Sequence, residues 1–163
     1  MDVKRIYRES FPAVRLIGRR YSGEENFRVL REEWFRGGLF APLEALPQLE
    51  GHDSGAIGAK RIAENGGLEY WIGLFLPAGT QVPEGYDFVD IEAMDYAVFW
   101  LYGDDQSGEL FGLETHNRCL EQFPANHFVR REDDWCFERY NCPRFTEPDA
   151  EGRVILDYGI SIL

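Results

Sequence analysis

Stretches in which apolar and polar positions alternate are separated by two in which apolar residues recur every three or four positions, and this contrast predicts strands interrupted by helices. Phe11–Tyr21 reads as the first strand, with Pro12 at its start. Ser22-Gly23-Glu24-Glu25 follows as a capping-box pattern in which Ser22 and Glu25 satisfy each other's backbone. It predicts a helix with Phe27, Leu30 and Trp34 on its buried side and Arg28, Arg31, Glu32 and Glu33 mostly opposite, ended by Gly37-Gly38. Leu39–Leu49 is apolar but broken by Pro42 and Pro47, which suits a short helical turn or an irregular cover over the core. Ala56–Ala63 and Leu68–Leu76 flank Asn65-Gly66-Gly67 as a hairpin. In its second arm Trp71, Gly73 and Phe75 share a face, and Gly73 either leaves room for a flat molecule or marks a bulge.

The plan then repeats. Tyr86–Ile91 is a short extra strand, and Tyr96–Tyr102 is a strand whose Ala97-Val98 echoes Ala13-Val14. Ser107-Gly108-Glu109 echoes Ser22-Gly23-Glu24 and predicts a helix to about Phe123, with Leu110, Leu113, Cys119, Leu120 and Phe123 buried and Pro124 at its end. Trp135–Tyr140 and Val154–Ile162 close the unit. The expectation is an α+β fold: one domain over 1–163, built from β-α-β-β twice (about 1–80 and 86–163), an antiparallel sheet with helices on one face. Two such units leave a concave cleft where their uncovered faces meet, and ligand sites favour such places.

Trp135-Cys136-Phe137-Glu138-Arg139-Tyr140 carries the candidate chemistry. Alternation puts Cys136, Glu138 and Tyr140 on one side and Trp135, Phe137 and Arg139 on the other. A carboxylate beside a phenol on a cavity wall would have a raised pKa or would need a cation to compensate it. A solvated edge strand with Glu138 paired to an arginine is the competing reading. The strands that could line the cleft supply Trp71, Phe75, Tyr96, Trp100, Tyr102, Trp135, Glu138 and Tyr140.

Charge narrows the choice of partner. The net charge of −12 is uneven: residues 1–36 carry nine Lys+Arg against six Asp+Glu, and the remainder eight against twenty-three. A surface this acidic disfavours direct nucleic-acid binding. No apolar run reaches membrane-span length and no signal-peptide plan is present, so a cytoplasmic location without membrane association is expected. Cys119, Cys136 and Cys142 lack metal-ligand spacing, and a zinc site drawn from Cys136, Cys142, His116 and His127 would need an irregular frame; no metal or cofactor is expected. The histidines lack a serine or cysteine signature for a triad, and Cys136 reads as a small packing residue. The acids Glu147, Asp149 and Glu151 suggest only solvation.

Tyr70-Trp71-Ile72-Gly73, Tyr96-Ala97-Val98-Phe99, Phe137-Glu138-Arg139-Tyr140 and the Val154–Ile162 strand, in this order, resemble the GyrI-like small-molecule-binding domain, which also forms the effector-binding part of AraC- and MerR-type multidrug regulators. The resemblance spans about Val3 to Leu163 and implies the duplicated (SHS2-like) fold with its cleft. It places the family's recurrent acid, which contacts cationic ligands, at Glu138, and its aromatic wall at Trp71, Tyr96 and Tyr140. No helix-turn-helix headpiece is read from this sequence, so the resemblance implies a protein acting alone. Three functions follow from it: a binder of aromatic or cationic xenobiotics; a hydrolase opening strained cyclopropanes, with Glu138 as base and Tyr140 or Tyr96 as hydrogen-bond donor; or an acidic module that engages a basic protein, as a gyrase inhibitor would.

Overall fold

A computed structural model describes residues 1–22, 27–140 and 143–163, without the side chains of Phe27 and Arg28. Eight strands among these residues form one antiparallel sheet: β1 (Asp2–Phe11), β2 (Val14–Tyr21), β3 (Ala56–Ile62), β4 (Leu68–Pro77), β5 (Asp87–Ile91), β6 (Met94–Gly103), β7 (Cys136–Tyr140) and β8 (Val154–Ile162), in the order β1-β6-β8-β7-β3-β4-β2-β5. Helices α1 (Phe27–Arg36) and α2 (Ala41–Glu44) lie between β2 and β3, and α3 (Leu113–Leu120) lies between β6 and β7.

The duplication is written into the pairing. Phe11 opposite Met94 in β1–β6 is matched by Ile91 opposite Val14 in β5–β2, and Gly18 opposite Gly73 by Val98 opposite Gly159. Each unit therefore lends its first strand to the other: β1 extends the second half and β5 extends the first. The two halves meet at β3–β7, where Gly58 and Glu138 face each other. Residues 58 and 138 are related by the same interval as 11 and 91, or 14 and 94, so this pair lies on the approximate two-fold axis of the sheet. The correspondence runs from Val14 to Met94, not to Val98 as the Ala-Val echo suggested.

Strand parity sorts the side chains into two layers. On the helix-bearing face, Leu30, Trp34 and Phe40 pack with Ile17, Tyr70, Ile72, Leu74 and Leu76. Leu110, Cys119 and Phe123 pack there with Phe99, Cys136, Tyr140, Tyr158 and Ile160. The other face carries Phe11, Leu16, Ile57, Trp71, Phe75, Tyr96, Val98, Trp135 and Phe137 as a closed cluster. Edge-to-face rings hold it together, with Tyr96 and Phe137 centroids at 5.0 Å and Phe75 and Phe137 at 5.6 Å.

Several expectations change here for local physical reasons. β1 carries no clean alternation because its register shifts between Val3 and Arg5, which breaks the period of two, and most of its residues face solvent at the sheet edge. Phe11 ends β1, and the strand expected from Phe11 starts at Val14. Residues 107–112 form turns, not helix: Gly108 and Gly112 take left-handed backbone angles of 79° and 92°, so α3 starts at Leu113, which is 73% exposed. The space at Gly73 is taken by backbone, since a Cβ there would lie 2.0 Å from the Ile17 carbonyl oxygen. Of the proposed Ser22–Glu25 capping box, residues 23–25 lie outside the described residues.

Candidate functional site

Parity divides the expected site residues. Glu138 and Tyr140 project from β7 toward the helices, as Tyr70 does from β4, whereas Trp71, Phe75, Tyr96 and Trp135 belong to the closed cluster on the opposite face. Trp71 donates its indole N–H to Glu69 at 2.8 Å within that layer. Trp100 is half-buried on the same side under the guanidinium groups of Arg144 and Arg5, 4.2 and 5.0 Å from its ring. Tyr102 donates to Asp149 at 2.5 Å, and this bond, with burial and the neighbouring acids, pushes its phenol up to about 12. Asp149 also accepts the backbone N–H groups of Glu151 and Arg153, so it organises its loop as well as carrying charge. Trp71, Phe75, Tyr96 and Trp135 thus pack with one another in that layer, while Trp100 borders an open hollow of about 410 Å³ lined with Arg5, Tyr7, Glu9, His52 and Asp53.

On the helix-bearing face a narrow crevice lies between sheet and helices, lined from the sheet by Gly58, Tyr70 and Tyr140. Gly58 contributes no side chain, and a Cβ there would stand 2.8 Å from the Tyr70 hydroxyl and 3.3 Å from a Glu138 oxygen. Glu138 is 8% exposed and accepts the Tyr140 hydroxyl at 2.6 Å. Burial and then the charge of Glu138 raise the phenol pKa values of both Tyr70 and Tyr140, so both keep their protons at neutral pH. Among the described residues no cation lies within ion-pair distance of Glu138. Glu138 as base and Tyr140 as donor, the roles ring-opening chemistry would need, are here hydrogen-bonded to each other.

Helix α1 roofs the crevice with Arg31, Trp34 and Phe35, and Phe40, Ala56, Ile57 and Ile72 complete its walls. Trp34 is 1% exposed and its indole N–H donates to the Tyr21 hydroxyl at 2.8 Å. A buried Trp removes roughly 150–250 Å² from water, at most about 4–6 kcal/mol at about 25 cal/mol/Å². Phe35 stands edge-on to Tyr140 at 5.8 Å and is 44% exposed, so it has far less to lose by moving. The free volume is about 10 Å³, close to what one water needs. Sequence reasoning missed Tyr70, Gly58, Arg31 and Phe35 as part of this region. The signal for Tyr70 was its parity with Ile72 and Leu74; for Gly58 it was its place opposite Glu138, which becomes visible only once the two hairpins are paired.

On the opposite face lies a buried charge network. Arg139 is 1% exposed and bridges Asp157, 0% exposed, and Glu9, each at 2.9 Å, while Arg144 reaches Asp157 at 3.0 Å and Asp53 at 3.2 Å. Each buried carboxylate here has a guanidinium, unlike Glu138. No helix among the described residues is long and apolar enough to cross a membrane.

No family model and no curated protein matches the chain. Solved structures do. The structure of SAV2435 bound to tetraphenylphosphonium matches with a TM-score of 0.69 and 14% identity, over 100% of this chain and 94% of that one. A Staphylococcus aureus MU50 protein assigned to transcription regulation matches at 0.63 and 18%, over 97% of both chains. The EcmrR chain of an EcmrR–DNA complex matches at 0.62 and 10%, over 97% of this chain and 57% of EcmrR. At these identities the likeness is one of architecture, and the swapped, duplicated antiparallel sheet with helices on one face fits a GyrI-like fold.

Proposed function

We propose that the protein binds aromatic or lipophilic organic cations in the crevice over Gly58, as one binding unit made by its two halves, about 1–80 and 86–163. Glu138 supplies the counter-charge, Tyr70 and Tyr140 the floor, and Phe35 and Trp34 the aromatic roof. One observation carries this reading: Glu138 is a buried acid at the centre of the sheet with no cation among the described residues within ion-pair distance, while the other buried acids, Glu69 and Asp157, have arginines. Burying a carboxylate without a counter-charge is costly even with the Tyr140 hydroxyl bound to it, and an arriving cation would relieve that cost. The binding of tetraphenylphosphonium by SAV2435, which shares the fold, supports the ligand class.

A drug-sized ligand needs on the order of 300 Å³ or more, so binding requires the roof to move. In this reading Phe35, 44% exposed, moves with its side of α1, and Trp34, 1% exposed, holds as the anchor. Calorimetric titration with tetraphenylphosphonium tests the reading. Glu138→Gln keeps the shape and removes the charge, and should weaken binding by more than about tenfold, the scale on which a buried charge pair depends on both partners. Equal affinity in wild type and Glu138→Gln would remove Glu138 from the site.

A further inference from the structure

Among the described residues a cation, Arg31, does stand in this region, and it does not pair with Glu138. The Arg31 guanidinium sits 5.2 Å from the Phe111 ring, 5.3 Å from Tyr140 and 5.7 Å from Phe145, and bonds Asp105 at 3.2 Å. Three rings and an acid around one planar cation make a cage of the kind that holds organic cations. Its parts come from both halves: Arg31 from α1, Asp105 and Phe111 from the segment between β6 and α3, Tyr140 from β7, and Phe145 from the segment between β7 and β8. Tyr140 is shared, with its ring under Arg31 and its hydroxyl on Glu138.

We propose that the cage of Phe111, Tyr140, Phe145 and Asp105 is a second cation subsite, adjoining the Glu138 crevice, which Arg31 fills as an internal stand-in until a ligand's own planar cation displaces it. The proposal rests on the reading of the crevice as a ligand site and adds to it the preferred chemistry, a flat delocalised cation such as an amidinium or guanidinium joined to an aromatic body. Because Arg31 belongs to the roof helix, its release and the opening of the crevice are one event.

Benzamidinium chloride is the probe, because it is small enough for the cage alone. Titrated into Arg31→Ala, it should bind about 2-fold to about 30-fold more tightly than into wild type, the factors that correspond to a cation–π contact of ordinary strength. Asp105→Asn in the Arg31→Ala background should cancel that gain, and Glu138→Gln in the same background should leave it. Tetraphenylphosphonium affinity should also rise in Arg31→Ala. Arg31→Lys, which keeps the charge and the helix but loses the planar group, should fall between wild type and Arg31→Ala, and it carries the test should the alanine variant fold poorly. Benzamidinium binding no tighter to either variant than to wild type would overturn the subsite even if tetraphenylphosphonium binding depends on Glu138. A Glu138-independent tetraphenylphosphonium affinity beside a normal benzamidinium gain would instead overturn the crevice and leave the cage.

Discussion

Gly58→Ala tests whether the space on the axis is a functional void. A single methyl would stand 2.8 Å from the Tyr70 hydroxyl and 3.3 Å from a Glu138 oxygen, the first distance too short to persist. Tyr70 is 7% exposed and walled by the α1 layer, so it cannot simply rotate into water. Overfilling a packed site costs about 1–3 kcal/mol, and the gain from replacing a strand glycine by alanine offsets about 0.5–1 kcal/mol of that. The net should be roughly 0–2.5 kcal/mol of lost stability, or a fall in Tm of up to about 10 °C at about 2–4 °C per kcal/mol for a chain of this size. The effect on tetraphenylphosphonium affinity should be larger in proportion, more than about tenfold, because the methyl occupies the one place where a ligand could approach both Tyr70 and Glu138. Thermal unfolding followed by circular dichroism gives the first quantity and calorimetry the second. A variant that melts higher than wild type and binds as tightly would show that the gap at Gly58 is only a missing side chain.

Other substitutions separate the two faces of the sheet. Trp71→Phe should lower stability by about 1–3 kcal/mol, through lost packing and the lost indole hydrogen bond to Glu69, while leaving tetraphenylphosphonium affinity within about twofold; a tenfold loss of binding would contradict the division by parity. Asp157→Asn, which leaves Arg139 and Arg144 facing a neutral amide in a buried site, should cost about 3–5 kcal/mol in urea unfolding, again without a change in ligand affinity. His116 shares a hydrogen bond of 2.9 Å between its Nδ1 and the Tyr158 hydroxyl in a partly buried site, and burial lowers its pKa to about 4. Its folded pKa is below the unfolded value of 6.5, so the unfolded chain binds the extra proton first: stability should be full above pH 6.5 and fall as pH drops toward 4. In His116→Gln the fall between those pH values should flatten; an unchanged acid limb would assign it to the carboxylates.

The strands were legible in the sequence wherever one face is buried and the other is not. β7 is the clearest case: the alternation of Cys136, Glu138 and Tyr140 against Trp135, Phe137 and Arg139 matches the layers in the structure. β1 was not legible, because a bulge and an edge position erase the period that the reading depends on. Which face carries the helices was not legible either. Both faces of β4 are buried, Tyr70, Ile72 and Leu74 on one and Trp71 and Phe75 on the other, so the aromatic density that drew attention to Trp71 and Phe75 has the same appearance whether it fills a core or walls a pocket. Tyr96 and Trp135 lie in the same closed layer as Trp71 and Phe75.

The placement of the acid follows from the duplication more than from the local sequence. In an antiparallel pair that straddles a two-fold axis, the two equivalent residues are each other's neighbours, with Cβ atoms about 5 Å apart. A perfectly repeated glutamate would put two carboxylates face to face in a buried layer, and like charges at that distance cannot both stay ionised. Here the two halves differ at that one pair: glutamate at 138 and glycine at 58. The glycine removes the repulsion and also the volume, so the same difference that makes a central acid tolerable opens the space above it, into which Tyr70 and Glu138 both point. Leu or Ile at position 58 would have been the ordinary choice for a fully closed strand pair under α1. That combination distinguishes Glu138, held by the Tyr140 hydroxyl and by no cation among the described residues, from the still more deeply buried Asp157, whose two arginines leave nothing for a ligand to supply.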